Sequence, residues 1–105
     1  MDSSDALARS AADRIAVAFD IDEMDDVAPH DVLARIRAAL TDRIIRLLTS
    51  NPERLMAILY RIDVGEAAVD EIFRTAFPPD VPELLADLII ERQLAKARTR
   101  AEHRP

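Results

Sequence analysis

A chain of 105 residues with a single glycine has little from which to build a sheet. Tight β-hairpins turn on residues that accept a positive φ, glycine above all, and a sheet protein of this size needs several of them. What the chain has instead is abundant Ala, Leu, Ile, Arg, Asp and Glu, and the straight-chain members of that set lose little side-chain freedom in a helix. The expected fold class is all-α.

Apolar periodicity and proline placement divide the chain into five helices. The first starts after Ser3 or Ser4 and runs to about Ala18, with a stripe of small residues at Leu7, Ala11, Ile15 and Ala18. Pro29 suits the first turn of a second helix over about 30–48, where Val32, Leu33, Ile36, Leu40, Ile44 and Leu47 share a face. This helix is the best candidate for the centre of the fold. The segment Ser50-Asn51-Pro52 restarts the chain, and Leu55, Ile58, Leu59 and Ile62 repeat at i, i+3, i+4 and i+7. Asp63 and Glu66 have capping-box spacing ahead of a short fourth helix that should bury Val69, Ile72, Phe73 and Ala76. Consecutive prolines in Phe77–Glu83 end it, and Asp80 with Glu83 repeats the spacing before a last helix over about 81–100. The architecture expected is one domain over 1–105, a compact bundle of about five helices with a long C-terminal helix. An acidic linker occupies about 19–29, and the ends before residue 4 and after residue 100 should fray.

No cysteine is present, which removes disulfides, thiolate zinc sites and cysteine nucleophiles together. The first residues are acidic and polar where a secretory signal would be basic and then apolar, and no apolar run approaches a membrane span. A cytoplasmic, soluble protein is expected. Its formal charge of −6 is placed unevenly: residues 1–31 hold nine acids and two bases, whereas the tail carries Arg92, Lys96, Arg98, Arg100 and Arg104. A chain acidic overall repels phosphate backbones at long range, so nucleic acid is a poor partner for it. Aspartate outnumbers glutamate, and Lys96 is the only lysine, a bias that suits a GC-rich genome and a cytoplasm of high salt.

The acid-rich stretch Phe19–Asp31 raises the question of a bound cation. A helix–loop–helix calcium site takes ligands at positions 1, 3, 5, 7, 9 and 12 with glycine at 6. Counting from Asp20, Met24 offers no oxygen at position 5, Asp25 stands where glycine is needed, and Pro29 crowds the closing turn. No metal is expected there, and the stretch reads as a solvated linker. Elsewhere, neither His30 nor His103 follows a glutamate by three residues, so the paired Glu-x-x-His ligands of di-iron bundles are missing. Serine occurs only at positions 3, 4, 10 and 50, and no nucleophile–base pair suggests itself. Glu83, Asp87 and Glu91 align on the last helix, but acids first and bases after is the order that complements a helix dipole. The expectation is a protein that is not an enzyme and needs no cofactor.

The last helix carries two apolar faces. Val81, Leu84, Leu85, Leu88 and Ile89 form one, and Ala86, Ile90, Leu94, Ala97 and Ala101 the other. A surface helix needs only one. Either the helix is sandwiched within its own fold, with the weak first helix as the cover, or Ala86, Ile90, Leu94 and Ala97, flanked by Arg92 and Lys96, meet a protein partner or a second copy.

The segments 58–73, ILYRIDVGEAAVDEIF, and 86–96, ADLIIERQLAK, resemble a group of small bacterial proteins of uncharacterised function. The pattern is a Leu-Tyr-Arg-Ile-Asp-Val element followed by an apolar helix ending in Glu-Arg-Gln-Leu-x-Lys. The resemblance implies a helical cytoplasmic protein and assigns no activity. Of its polar members, Tyr60, Arg61, Glu91 and Arg92 are candidates for a network tying the third helix to the last. The leading functional expectation is a non-enzymatic interaction or adaptor module, with a homodimer through its last helix as one form of it. The alternatives are a nucleic-acid-associated regulator using the Arg-rich tail and a metal-binding bundle.

Overall fold

The structure, a computed structural model, describes residues 3–22, 24 and 26–103. The described residues are all-α and form five helices: α1 (Ser3–Phe19), α2 (Val32–Ser50), α3 (Pro52–Arg61), α4 (Glu66–Thr75) and α5 (Val81–Glu102). Short 3-10 turns at Pro29–Asp31 and Pro78–Asp80 lead into α2 and α5. Of the ends expected to fray, before residue 4 and after residue 100, residues 1, 2, 104 and 105 lie outside the described residues, while Ser3 belongs to α1 and Ala101 and Glu102 to α5. Among the described residues no helix is long and apolar enough to cross a membrane.

The core is a packed trio of α1, α2 and α5, and the largest of its interfaces joins α1 to α5, the two ends of the chain. α1 buries Ala8, Ala11, Ala12, Ile15 and Phe19 in this trio. Small side chains let two helix backbones come close, so a stripe too weak to hold a helix alone becomes adequate once it has a partner. α2 buries Val32, Ile36, Leu40, Ile44 and Leu47 along one face, as its periodicity predicts. The centre, however, is shared: α5 buries Val81, Leu85, Ala86, Ile89 and Ala97 on more than one side, against both α1 and α2.

α3 and α4 stand outside this trio on different supports. α3 packs on α2, α4 packs on α5, and the two make few contacts with each other. α4 buries only Val69 fully, leaving Phe73 41% exposed where burial was expected. A ten-residue helix resting on one neighbour offers more apolar surface than that neighbour can cover.

The caps separate sequence pattern from backbone geometry. Asn51 acts as expected, its Oδ1 accepting the Arg54 amide at 3.2 Å, with Pro52 in the first turn. Asp63 and Asp80 do not. Asp63 lies beyond the end of α3 in the left-handed region at φ 58, and the residue that precedes α4 is Gly65, at φ 95. Asp80 immediately precedes α5 but is helical, at φ −88 and ψ −15, and its side chain makes no capping bond. A capping side chain reaches the free amides from an extended backbone, which neither aspartate has.

Candidate functional site

The expected partner face on α5 is largely inside the molecule. Ala86 is 0% exposed and Ala97 3%, so neither is available to another chain. Ile90 is half-buried and packs against the core, and Leu94 is half-buried. Most of the second apolar face is therefore covered within the fold, while Ala101 at its far end is exposed. Sequence periodicity detects that face but does not say which element covers it.

Arg92 and Lys96, expected to flank the partner face, are engaged at the end of α3. Arg92 Nε donates to the Asp63 carbonyl at 3.2 Å, Lys96 Nζ to the Ile62 carbonyl at 3.1 Å, and Gln93 Nε2 to that same carbonyl at 3.3 Å. Lys96 also lies 3.5 Å and Arg92 3.9 Å from the Asp63 carboxylate. The final carbonyls of a helix lack partners within it, and cations favour its negative end, so three consecutive or turn-related side chains of α5 complete α3. The polar network predicted from Tyr60, Arg61, Glu91 and Arg92 is thus different in membership. Arg92 belongs to it, whereas the side chains of Tyr60, Arg61 and Glu91 are exposed and form no hydrogen bond or ion pair with the described residues. The buried Gln93 takes the place that sequence gave to them.

The acidic stretch is more than a solvated linker. The Ile21 amide donates to the Ala16 carbonyl at 2.9 Å and the Asp20 amide to Val17 at 3.5 Å, the paired bonds of a Schellman stop, with Asp20 at φ 55. Ile21 and Met24 are buried and pin the segment to the core. Its polar groups serve the fold: the Asp20 carboxylate meets Arg54 at 2.9 Å, its carbonyl accepts from Arg43 at 2.5 Å, and the Met24 carbonyl accepts from Arg9 at 2.9 Å. Glu23 and Asp25 lie outside the described residues. Among the described residues, no three histidine or carboxylate side chains come together to hold an ion.

The carboxylate row on α5 also has a structural use. Asp87 takes a two-pronged bond from Arg37 of α2, at 2.7 and 3.3 Å. The hydrogen bond and charge of Asp87, with the more distant Glu83, hold the Arg37 guanidinium's pKa above its usual value.

What remains open to another molecule is the cleft between α3 and α4, about 770 Å³ in volume. Its floor is apolar: Leu59, Val64 and Val69, all buried. Met56, 43% exposed, and Tyr60, 75% exposed, line it from α3. Asp63, Glu66 and Asp70 supply the remaining charge, all of one sign. A second groove of about 560 Å³ lies between α1, α3 and α5, where Arg14, Arg61 and Lys96 surround Ile15, Val17 and Ile62. Nearby, Arg100 donates to the Ser10 hydroxyl at 3.4 Å, and burial, with repulsion from Arg14, lowers its pKa.

Sequence reading missed the first cleft. Met56 and Tyr60 are four residues apart and off the Leu55, Ile58, Leu59, Ile62 stripe, so the test that exposed two faces on α5 would have exposed them on α3. No protein family, curated protein or solved structure matches this chain.

Proposed function

We propose that this chain is a non-enzymatic protein-binding module of the cytoplasm that receives a segment of its partner in the cleft between α3 and α4. The observation that carries the reading is Tyr60, a large amphipathic ring 75% exposed on the wall of an apolar-floored cleft. Tyrosines in such settings dominate protein interfaces, because a rigid ring gains much contact area for little lost freedom. Met56 beside it supplies an unbranched, adaptable side chain that moulds to different partners.

Two of the four serine hydroxyls have local duties, which supports a binding role over a catalytic one. Ser50 Oγ donates to the Arg46 carbonyl one turn back, and the Ser10 hydroxyl accepts from Arg100. The nucleic-acid alternative loses ground for a related reason: Arg92 and Lys96 of the basic tail are held on the end of α3.

A photo-crosslinking amino acid at position 56 tests the assignment against one at position 38, an exposed site on α2. Exposed to lysate, the first variant should capture a discrete protein that the second does not, with capture lost on adding Tyr60→Ala. The same proteins captured from both positions would remove the cleft from consideration.

A further inference from the structure

We infer that the occupant of this cleft is a basic amphipathic helix from another protein. The inference rests on the cleft being the binding surface, and adds what the surface selects for.

Charge gives the sign. Every ionisable group lining the cleft is an acid. The three cations on α3 and α4 face elsewhere: Arg54 is bound to Asp20, Arg74 to Glu71, and Arg61 lines the opposite groove. Glu66 and Asp70 sit one turn apart on α4, and neither has a cationic partner among the described residues. Like charges at that spacing weaken a helix, so the free molecule keeps a repulsion that an incoming cation relieves. Asp63 at the mouth adds less, since Lys96 and Arg92 lie 3.5 and 3.9 Å from its carboxylate.

The cleft walls decide the occupant's backbone. α3 and α4 are ten-residue helices, so the walls offer no strand edge to an extended segment. An extended peptide laid between them would leave its own amides unpaired against Leu59, Val64 and Val69, whereas a helix satisfies its own. Ten residues span about 15 Å, enough for roughly three turns of such a helix. The required pattern is apolar anchors at i, i+3 or i+4, and i+7, with lysine or arginine flanking them. The helices of a second copy do not qualify, because their main apolar stripes are already inside the core.

The probe is a fluorescein-labelled helical peptide of about fourteen residues with leucine anchors at that spacing and lysine and arginine elsewhere. Its control is an isomer with glutamate in place of every base. Fluorescence anisotropy with the full chain should show binding of the basic peptide alone, weakening as salt rises. The double substitution Met56→Ala/Tyr60→Ala should reduce affinity at least about tenfold. Glu66→Gln/Asp70→Asn should reduce it about fivefold and flatten the salt dependence. Circular dichroism should show both variants folded, since all four side chains are exposed. Equal binding of the acidic isomer, still dependent on Tyr60, would overturn the charge selection and leave the cleft standing. Binding of the basic peptide that ignores Met56→Ala/Tyr60→Ala would overturn the location. No binding of the basic peptide would overturn the inference, and crosslinking from position 56 would then judge the cleft independently.

Discussion

Among the described residues three have a positive φ, Asp20, Asp63 and Gly65, and only one of them is glycine. Aspartate tolerates that region better than most residues, so the helix stops after α1 and α3 form without glycine. Gly65 is less replaceable, because φ 95 with ψ 110 lies outside the pocket that aspartate or asparagine reaches. No atom lies within 4 Å of where a Cβ would stand, so its cost is backbone strain and not collision. Gly65→Ala should destabilise the protein by about 1–2 kcal/mol, measured by urea denaturation. An unchanged midpoint would mean that the α3–α4 link relaxes freely. The acceptor at Ile62 makes a second prediction, because Gln93 and Lys96 both donate to its carbonyl. Gln93→Leu or Lys96→Met alone leaves one donor in place and should cost less than about 1 kcal/mol. The pair together should cost more than the sum, by about 1 kcal/mol in a double-mutant cycle. Strict additivity would show that the two bonds act separately.

Helices whose apolar residues form a single stripe were legible from sequence, and α5 shows where legibility stops. Val32 to Leu47 on α2 and Leu55 to Leu59 on α3 are buried as their spacing requires. On α5 the two apolar faces are equally readable, but periodicity describes one element and burial depends on two. Only the structure pairs Ala86 and Ala97 with the interior. The caps divide in the same way: Asn51 precedes a proline that fixes the start of α3, while nothing local anchors Asp63 as a cap, and the chain uses it to end α3 instead. Ala86 offers the test at this scale. At 0% exposure it has no room for extra methylenes, so Ala86→Leu should cost about 1–3 kcal/mol, read as a lowered denaturation midpoint. A neutral or stabilising effect would return this position to the surface.

For the molecule as a whole, the sequence indicated an acidic front and a basic tail, and the fold sets groups from the middle of the chain against each. Arg54 and Arg43 reach Asp20, and Lys96 and Arg92 reach Asp63, so individual charges are offset while the net charge of −6 remains. Salt screens the isolated exposed pairs and the general repulsion alike. The repulsion should prevail at this net charge, so thermal unfolding should move to higher temperature between low salt and about 1 M salt. A constant or falling midpoint would show that the ion pairs dominate, and would remove the argument for a high-salt cytoplasm. The cleft between α3 and α4 stayed hidden from sequence because it belongs to no single segment. It exists because neighbouring helices rest on different members of the core.

The interface between α1 and α5 has a consequence for how the molecule comes into being. Its two sides are separated by most of the chain, so the larger of the two interfaces that support α1 becomes available only after α5 has been synthesised, with α2 the earlier partner. Closing so long a loop delays folding relative to a bundle of neighbouring hairpins. A nascent chain ending at residue 80 should therefore be a substrate for proteases and chaperones, its α1 unformed and its acidic front keeping it dispersed. A fragment of residues 1–80 tests this by circular dichroism and limited proteolysis: native-like helicity and protection would show that α1 and α2 suffice, and an unfolded profile would make the last helix the step that commits the chain to its fold.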